Sequence, residues 1–285
     1  MVSGSIEGDI VTLSEGNTFV LTDYSQPKLV TAIHDSWNQS GALLGKTSFV
    51  EYYDSPSFCL MNSNLKIALF NRILKTNLST EEIDQKIQET IEYFESKSLP
   101  FVWQVDPQSR PHDLADRLEK AGLVRREGTG MAIEIENLVV PQEPERFRYE
   151  RATSSKKIEE YAKLLPKAYG MPEFGWDFLT GCITKIGVVE DFQHYIGYLD
   201  DKPVGTSSII YAVGVAGLYN VSTLPEARGN RVGSVMSAIP FADAADKGFK
   251  IGILHSTEMG YNVYKRLGFQ EICKLIRYRW TPPTE

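Results

Sequence analysis

The residues between Leu218 and Ser234 combine groups that could bind a phosphate. An apolar run starting at Leu218 predicts a buried strand, and Pro225 marks the turn that follows it. The next segment contains two glycines and two arginines and leads into a helical pattern at 235–247. A helix N-terminus offers free N–H groups with partial positive charge, and arginines add charge-assisted hydrogen bonds. We interpret this segment as a pyrophosphate cradle. Its residues are Arg228, Gly229, Asn230, Arg231, Val232, Gly233 and Ser234.

A second motif, Tyr-x-x-Leu-Gly-Phe, runs from Tyr264 to Phe269. The two motifs in this order resemble the GNAT N-acetyltransferase superfamily, whose phosphate loop reads Arg/Gln-x-x-Gly-x-Gly/Ala. Arg228 and Gly233 match the ends of that loop, whereas Arg231 stands where the family has its inner glycine. If this position needs a positive φ, an arginine should not fit; if its backbone is ordinary, Arg231 can reach a coenzyme phosphate. The resemblance covers about residues 147–280.

The resemblance implies a fold, a co-substrate and a reaction. The fold is a mixed-sheet α/β (α+β) domain of the acyl-CoA N-acyltransferase type, and the co-substrate is acetyl-CoA. The acetyl group and pantetheine arm would lie along the backbone of Val221, Ser222 and Thr223. Tyr264 matches the tyrosine that protonates the coenzyme A thiolate, a role that suits a phenol with an ordinary pKa near 10. We expect direct transfer to an amine in a ternary complex, since the sequence offers no obvious cysteine nucleophile.

The general base is left open by the sequence. Glu258 follows the last parallel strand, Tyr219 and Asn220 lie on the central strand, and Glu173 and Asp177 fall where the family often lines the acceptor site. A water chain could serve instead. His255 alternates with apolar neighbours, so we interpret it as a core or rim histidine. No His, Cys and carboxylate cluster suggests a metal.

Composition excludes several other classes. The chain has 285 residues, 42% of them hydrophobic and 24% charged, as in ordinary globular proteins. A net charge of −7 disfavours a nucleic-acid binder. No apolar run is long enough for a membrane span, and no secretory signal is seen. The three distant cysteines indicate no disulfide framework, and we expect a cytoplasmic protein.

Two GNAT-like halves are expected in tandem, residues 1–140 and 145–285, joined by a proline-containing linker. The predicted strand at Phe101–Val105 corresponds to the predicted strand at 251–255. Gly122 follows Asn71 at nearly the same number of residues as Gly268 follows Asn220. We infer a diverged duplication, the alternative being chance. The N-terminal copy has Lys75-Thr76-Asn77-Leu78 instead of a phosphate loop, so we predict that it is catalytically silent and covers or completes a substrate cleft.

The spacing of apolar residues predicts the helices and strands around the two motifs. The sequence predicts a helix over 26–37, strands at 58–61 and 67–70, and a helix after the capping box at Ser79 and Glu82. An early edge strand is expected at Asp9–Leu13 or Phe19–Leu21. From residue 147 onward the predicted order is β-α-α-β-β-β-α-β-α-β.

The function we expect is transfer of an acetyl group from acetyl-CoA to a primary amine of a small molecule or peptide. The alternative is a non-catalytic acyl-CoA-binding or regulatory module, and a third reading is transfer of a larger acyl group. The sequence does not identify the acceptor or the oligomeric state.

Overall fold

The computed structural model describes residues 20–21 and 23–283, which form two compact units interleaved along the chain. The first unit comprises Met1–Gln39 and Gly130–Cys273, and the second comprises Ser40–Thr129 and Lys274–Glu285. Three elements run from one unit into the other: helix α1 (Gln26–Gly45) and strands β5 (Val124–Glu134) and β11 (Gln270–Trp280). The expected early strand at 9–13 lies outside the described residues. In the alternative at 19–21, residues 20 and 21 are described and do not form a strand.

The first unit has the element order that the sequence predicts. It runs through β6 (Phe147–Arg151), α4 (Ser155–Ala168), α5 (Trp176–Ile186), β7 (Phe192–Leu199), β8 (Lys202–Ala212), β9 (Val215–Thr223), α6 (Val232–Asp246), β10 (Ile251–Ser256), α7 (Glu258–Arg266) and the start of β11. Within this unit neighbouring strands follow the order β5-β10-β9-β8-β7-β6. Strands β6 to β9 pair antiparallel, and β10 pairs parallel to β9.

Helices α6 and α4 pack on opposite faces of β8. A Cβ atom added at Gly205 would lie 2.8 Å from Val232 of α6, so this glycine permits the close approach of the helix. The Tyr161 hydroxyl of α4 lies 2.5 Å from the hydroxyl of Ser208. Because residues 205 and 208 differ by an odd number of positions, they point to different faces of the strand. The α6 face is apolar, with Met236, Phe241 and Phe269 fully buried.

The second unit contains β1 (Glu51–Asp54), β2 (Phe58–Asn62), β3 (Asn71–Thr76), α2 (Ile83–Ser96), β4 (Phe101–Val105) and α3 (Leu114–Lys120), with the ends of β5 and β11. Its strands follow the order β1-β2-β3-β4-β11. Trp103, Phe94 and Phe101 are fully buried between the strands and helices. The stripe Ile83, Ile87, Ile91 and Phe94 faces this core, as the sequence predicts.

The strand expected at 67–70 is wrong. Residues Ala68–Phe70 form a 3-10 turn, and the strand begins only at Asn71. The Asn71 side chain explains the turn: its Nδ2 donates to the carbonyls of Leu65 and Pro100, and its Oδ1 accepts from the N–H of Ser63. These bonds hold 63–70 as a compact loop. Among the described residues, no helix is both long and apolar enough to cross a bilayer.

Candidate active site

Strands β9 and β10 separate at the centre of the first unit. Their parallel register runs from Gly252 opposite Ala216 to Leu254 opposite Leu218 and stops there. Strand β9 continues to Thr223, and β10 continues to Ser256. The edge of β9 beyond Leu218 is therefore left without strand pairing to β10 in the described register, so its backbone groups can bind an extended ligand.

A bulge at Asn220 produces this departure from regular pairing. The β8–β9 register shifts between Thr206 and Ser208, and Asn220 has a φ of 54°. Asparagine tolerates the left-handed region better than most residues with a side chain. The Thr206 hydroxyl donates to the Asn220 carbonyl at 2.8 Å and fixes the bulge. Bulges bend a strand away from its neighbour, which is how β9 turns from β10 toward the following loop.

The predicted cradle residues follow directly after this strand. Helix α6 begins at Val232, three residues earlier than periodicity indicates, so Gly233 and Ser234 lie in its first turn. The caps of the neighbouring helices differ from that of α6: Ser154 accepts a hydrogen bond at the start of α4, and Thr257 does so at the start of α7. Helix α6 has no such side-chain cap. Its first-turn N–H groups remain available as donors to an anion.

The Arg228 side chain reaches back to the strand. Its Nε donates to the Thr223 carbonyl at 3.2 Å, and the rest of the guanidinium is exposed. Gly229 has a φ of 82°, and a Cβ atom added there would meet no atom within 4 Å. A Cβ atom at Gly233 would lie 3.4 Å from Thr223 Oγ1, so this glycine keeps open the gap between strand end and helix start. Asn230 Nδ2 donates to the Ala227 carbonyl at 3.4 Å.

Arg231 adopts the conformation that the sequence analysis considered unsuited to an arginine. Its φ is 61° and its ψ is 1°, which is the left-handed region. The backbone is therefore not ordinary, and the arginine occupies a glycine-like position at a cost of about 1 kcal/mol. Its Nη1 donates to Gln142 Oε1 at 3.1 Å, so the side chain contacts the segment that precedes β6.

Val221, Ser222 and Thr223 line the separated part of β9. Ser222 is buried, and its hydroxyl lies 2.5 Å from that of Thr206. Val221 packs partly against the apolar α6 face. The Thr223 carbonyl is used by Arg228, which leaves its N–H and the edge groups of Val221 as the ligand-facing candidates on this strand.

Tyr264 lies on α7 against the core, with its ring centroid 6.1 Å from that of Phe269. Burial raises the pKa of Tyr264 to about 12, and a hydrogen bond with the Ser237 side chain opposes the rise. Ser237 belongs to α6 and donates to the Gly233 carbonyl at 2.7 Å. The phenol is therefore beside the helix that carries the cradle, and it stays protonated at neutral pH.

A buried polar network near Asn220 is a feature that sequence reasoning missed. Ser208 Oγ lies 2.5 Å from the Tyr161 hydroxyl and 2.8 Å from His194 Nδ1, and it accepts from Asn220 Nδ2 at 3.2 Å. Tyr161, His194 and Ser208 are fully buried. The Tyr169 hydroxyl, at the end of α4, donates to Asn220 Oδ1 at 3.4 Å. The available signal was the polar run Thr206-Ser207-Ser208 inside an apolar strand.

The electrostatics of the network favour neutral groups. Burial lowers the pKa of His194 to about 3, so this imidazole is uncharged at neutral pH. Burial also raises the pKa of Tyr161 and Tyr169, and the nearby Tyr264 phenol raises the latter further. Tyr169 therefore contacts Asn220 at the β9 bulge and lies within electrostatic range of Tyr264 on α7.

The candidate general bases differ in exposure and in hydrogen bonding. Glu258, Glu173 and Asp177 are exposed on α7, a 3-10 turn and α5. The Tyr219 hydroxyl lies 2.8 Å from that of Ser36, and His255 Nε2 lies 3.1 Å from the Ile33 carbonyl. His255 also stacks on Trp37 at 4.7 Å, as a rim histidine would. In the described part of the chain, no group of three or more His, Cys, Asp or Glu residues could hold a metal ion.

The corresponding edge in the second unit is closed. Strands β3 and β4 pair parallel at Arg72 and Ile73, and Asn77 then forms a bridge with Arg110. The Arg110 guanidinium donates to the carbonyls of Pro107 and Ser109. The cavity of about 710 Å³ that remains outside this bridge has the carboxylates of Glu81 and Asp113 in its lining. The loop at 228–234 of the first unit, by contrast, contains no carboxylate.

Solved structures with the same fold exist, although no family model and no curated protein sequence matches this chain. A GCN5-related N-acetyltransferase from Kribbella flavida is 17% identical with a TM-score of 0.63, over 90% of this chain and 96% of that one. A tandem GNAT protein from the clavulanic acid biosynthesis pathway is 13% identical with a TM-score of 0.59, over 93% and 97%. A GCN5-related N-acetyltransferase from Sphaerobacter thermophilus is 15% identical with a TM-score of 0.59, over 82% and 84%.

These likenesses span both halves of the chain, and they confirm the resemblance found in the two sequence motifs at the level of the fold. The first unit also has the order of strands and helices that the sequence predicts. The chain therefore has the fold of the GNAT N-acetyltransferases, in their tandem form.

Proposed function

We propose that this protein is an N-acetyltransferase that moves an acetyl group from acetyl-CoA to a primary amine of a small molecule or peptide. The observation that carries the proposal is the gap between β9 and β10, which leads directly to the uncapped N-terminus of α6. The free edge of β9 would offer hydrogen bonds to the extended thioester arm. The N-terminus of α6, which follows directly, would bind the pyrophosphate.

The residues of the first unit fit this co-substrate. The first-turn N–H groups of Val232, Gly233 and Ser234 would bind the pyrophosphate, and the exposed guanidinium of Arg228 would add charge. Gly229 and Asn230 shape the loop, and Arg231 supplies its left-handed residue. The backbone of Val221, Ser222 and Thr223 would bind the pantetheine arm and polarise the acetyl carbonyl. Acetyl-CoA supplies an activated thioester in this arrangement.

Tyr264 donates a hydrogen bond to the sulfur as the C–S bond breaks. A phenol whose pKa is about 12 holds its proton until a strong acceptor forms beside it. A solvent water, the alternative donor, would have to approach the sulfur beside the partly buried face of α7. The phenol passes its proton to the sulfur and then recovers one from the medium. The substrate ammonium loses two protons to the medium, one before attack and one as the amide forms, so one proton is released per cycle.

The test of this proposal is calorimetric titration of acetyl-CoA into the full chain and into Arg228→Ala, followed by an amine panel. We expect binding that Arg228→Ala weakens, and release of free thiol, detected with dithiobis(nitrobenzoate), in the presence of an acceptor. Absence of binding to the unmodified chain contradicts the proposal.

A non-catalytic acyl-CoA-binding or regulatory module is the second candidate, because Arg231 departs from the family loop and the exposed carboxylates near the cleft give no committed base. Retained coenzyme binding without turnover of any amine would favour it. Transfer of a larger acyl group would show as faster turnover with a longer-chain acyl-CoA. The silent role of the N-terminal half and a cytoplasmic location remain parts of this proposal.

A further inference from the structure

The side chain of Asn220 is held in one orientation at the solvent edge of the cleft. Its Nδ2 donates to the buried Ser208 hydroxyl at 3.2 Å, and its Oδ1 accepts from the Tyr169 hydroxyl at 3.4 Å. Asn220 is half-buried, whereas Ser208 is fully buried. The amide nitrogen is thus directed into the protein, and the amide oxygen points toward Tyr169, a residue that is 50% exposed. An amide oxygen has two lone pairs, so one remains beside the Tyr169 contact.

The Ser208 hydroxyl in the buried part of the network is fully satisfied by this orientation. Ser208 Oγ meets three groups, the Tyr161 hydroxyl, His194 Nδ1 and Asn220 Nδ2. A hydroxyl donates once and accepts twice, so all its capacity is used and the Asn220 nitrogen is one of two donors to it. His194 Nε2 is buried without a partner. Because orphaned buried N–H groups are rarer than bare acceptors, Nδ1 carries the His194 proton.

We propose that Asn220 Oδ1, with the Tyr169 hydroxyl beside it, accepts an N–H of the acceptor amine and positions the nitrogen for attack on the thioester. The inference rests on the proposed acetyltransferase function and names a positioning residue within it. The amine nitrogen forms a bond to the acetyl carbon, the C–S bond breaks with its electron pair staying on sulfur, and the surplus N–H proton of the nitrogen leaves to solvent. Asn220 neither gives nor takes a proton. The acceptor therefore enters as the neutral amine, its ammonium proton having gone to solvent.

The titratable groups facing Asn220 favour a pH dependence of kcat/KM that is determined by the substrate amine. They are Tyr161 and Tyr169 from α4, His194 through Ser208 from β7, and Tyr264 from α7 by way of Tyr169. Within the described residues, no carboxylate hydrogen-bonds to Asn220, Ser208, Tyr161 or Tyr169. The rise of kcat/KM with pH should therefore follow the pKa of each amine rather than one fixed enzyme group.

The experiment compares Asn220→Gly and Asn220→Asp with the unmodified chain, using benzylamine, tyramine, spermidine and a lysine-containing tetrapeptide. Glycine accepts the 54° φ and removes the amide, while aspartate keeps the shape and adds a base. We expect Asn220→Gly to lower kcat/KM for the amine about tenfold or more, as for one lost hydrogen bond, with acetyl-CoA affinity unchanged. Asn220→Asp should move the rise of kcat/KM to lower pH.

The matched control is Asn64→Gly, which also removes an asparagine from a left-handed position, at a φ of 58°, in the second unit. It should leave amine kinetics unchanged. Equal kcat/KM in the Asn220 variants and the unmodified chain overturns the inference and leaves the proposed function intact. Binding of acetyl-CoA without turnover of any panel amine overturns the acetyltransferase function and the inference together. Asn220→Asp serves as the readout if the glycine variant does not fold.

Discussion

The backbone N–H of Arg110 donates to the carbonyl of Thr76 at 2.9 Å, and the Arg110 carbonyl accepts from the N–H of Leu78 at 3.3 Å. These bonds occupy the edge of β3 where it leads toward α2. The equivalent edge of β9 beyond Leu218 has no such pairing with β10. The Glu82 carboxylate lies at the start of α2 and accepts a hydrogen bond from the Ser79 N–H at 3.0 Å. The second unit thus fills both positions that a coenzyme would need.

We therefore predict that the full chain binds one acetyl-CoA. The coenzyme would need β3-edge groups that Arg110 already uses, and its phosphates would meet Glu82 at the helix start. The stoichiometry of a calorimetric titration measures this directly, and Arg228→Ala should weaken the single binding event. A fitted stoichiometry of two, or a second event that survives Arg228→Ala, would contradict the silent role of the N-terminal half.

Tyr264→Phe should lower kcat by roughly 100-fold while leaving acetyl-CoA affinity unchanged, because only the developing thiolate loses a hydrogen-bond donor. Initial rates at saturating coenzyme and amine measure the change. Tyr261→Phe is the matched control, since this tyrosine lies on the same helix and its hydroxyl donates to Glu271 at 3.2 Å. Equal turnover in Tyr264→Phe and the unmodified chain would remove this phenol from the mechanism.

Arg231 gives a stability prediction, because its φ of 61° suits glycine and opposes β-branched residues. Arg231→Gly should be at least as stable as the unmodified chain, whereas Arg231→Val should lose about 1–2 kcal/mol. Thermal unfolding compares the three proteins.

A comparison of Arg231→Gly with Arg228→Ala separates the two possible roles of Arg231. Its side chain contacts Gln142, so we expect Arg231→Gly to weaken acetyl-CoA binding less than Arg228→Ala does. If both arginine variants lose the coenzyme equally, Arg231 contacts a phosphate and the Gln142 bond is broken on binding.

His194 should make the first unit sensitive to acid. Its pKa is lowered from 6.5 to about 3 in the folded protein because it is buried. As the pH falls below 6.5 the unfolded chain binds a proton that the folded chain does not, so stability falls until about pH 3. The slope approaches about 1.4 kcal/mol per pH unit. Asn in place of His keeps a polar atom near Nδ1 without this ionisation.

Urea unfolding at pH 7 and pH 5 should therefore show a larger loss of stability for the unmodified chain than for His194→Asn. The comparison isolates the histidine, because the carboxylates titrate alike in both proteins. His112→Gln, at an exposed position, is the control and should retain the full acid dependence. Parallel curves for the unmodified chain and His194→Asn would mean that His194 is solvated.

Local sequence determined the elements of the first unit and the order in which they occur. The strand pattern before Pro225, the Arg/Gly segment and the Tyr264 motif were enough to predict a strand, a loop leading into a helix, and a tyrosine near the following short helix. These features are short-range, because periodicity, turn residues and caps act over a few positions. The same rules wrongly predicted a strand at 67–70. The conformation there depends on hydrogen bonds from the Asn71 side chain to the 63–65 loop and to the distant Pro100 carbonyl.

Tertiary structure decided what the local patterns left open. Helix α1 contributes Ser36 and Trp37 to the surroundings of Tyr219 and His255, contacts that join residues about 180 and more positions apart and leave no periodic signal. The convergence of Ser208, Tyr161, His194 and Asn220 depends likewise on which faces of β7, β8, β9 and α4 meet. The sequence determines which residues can do chemistry. The tertiary structure brings the Ser208 hydroxyl to Asn220, and the hydrogen bond between them orients the Asn220 amide.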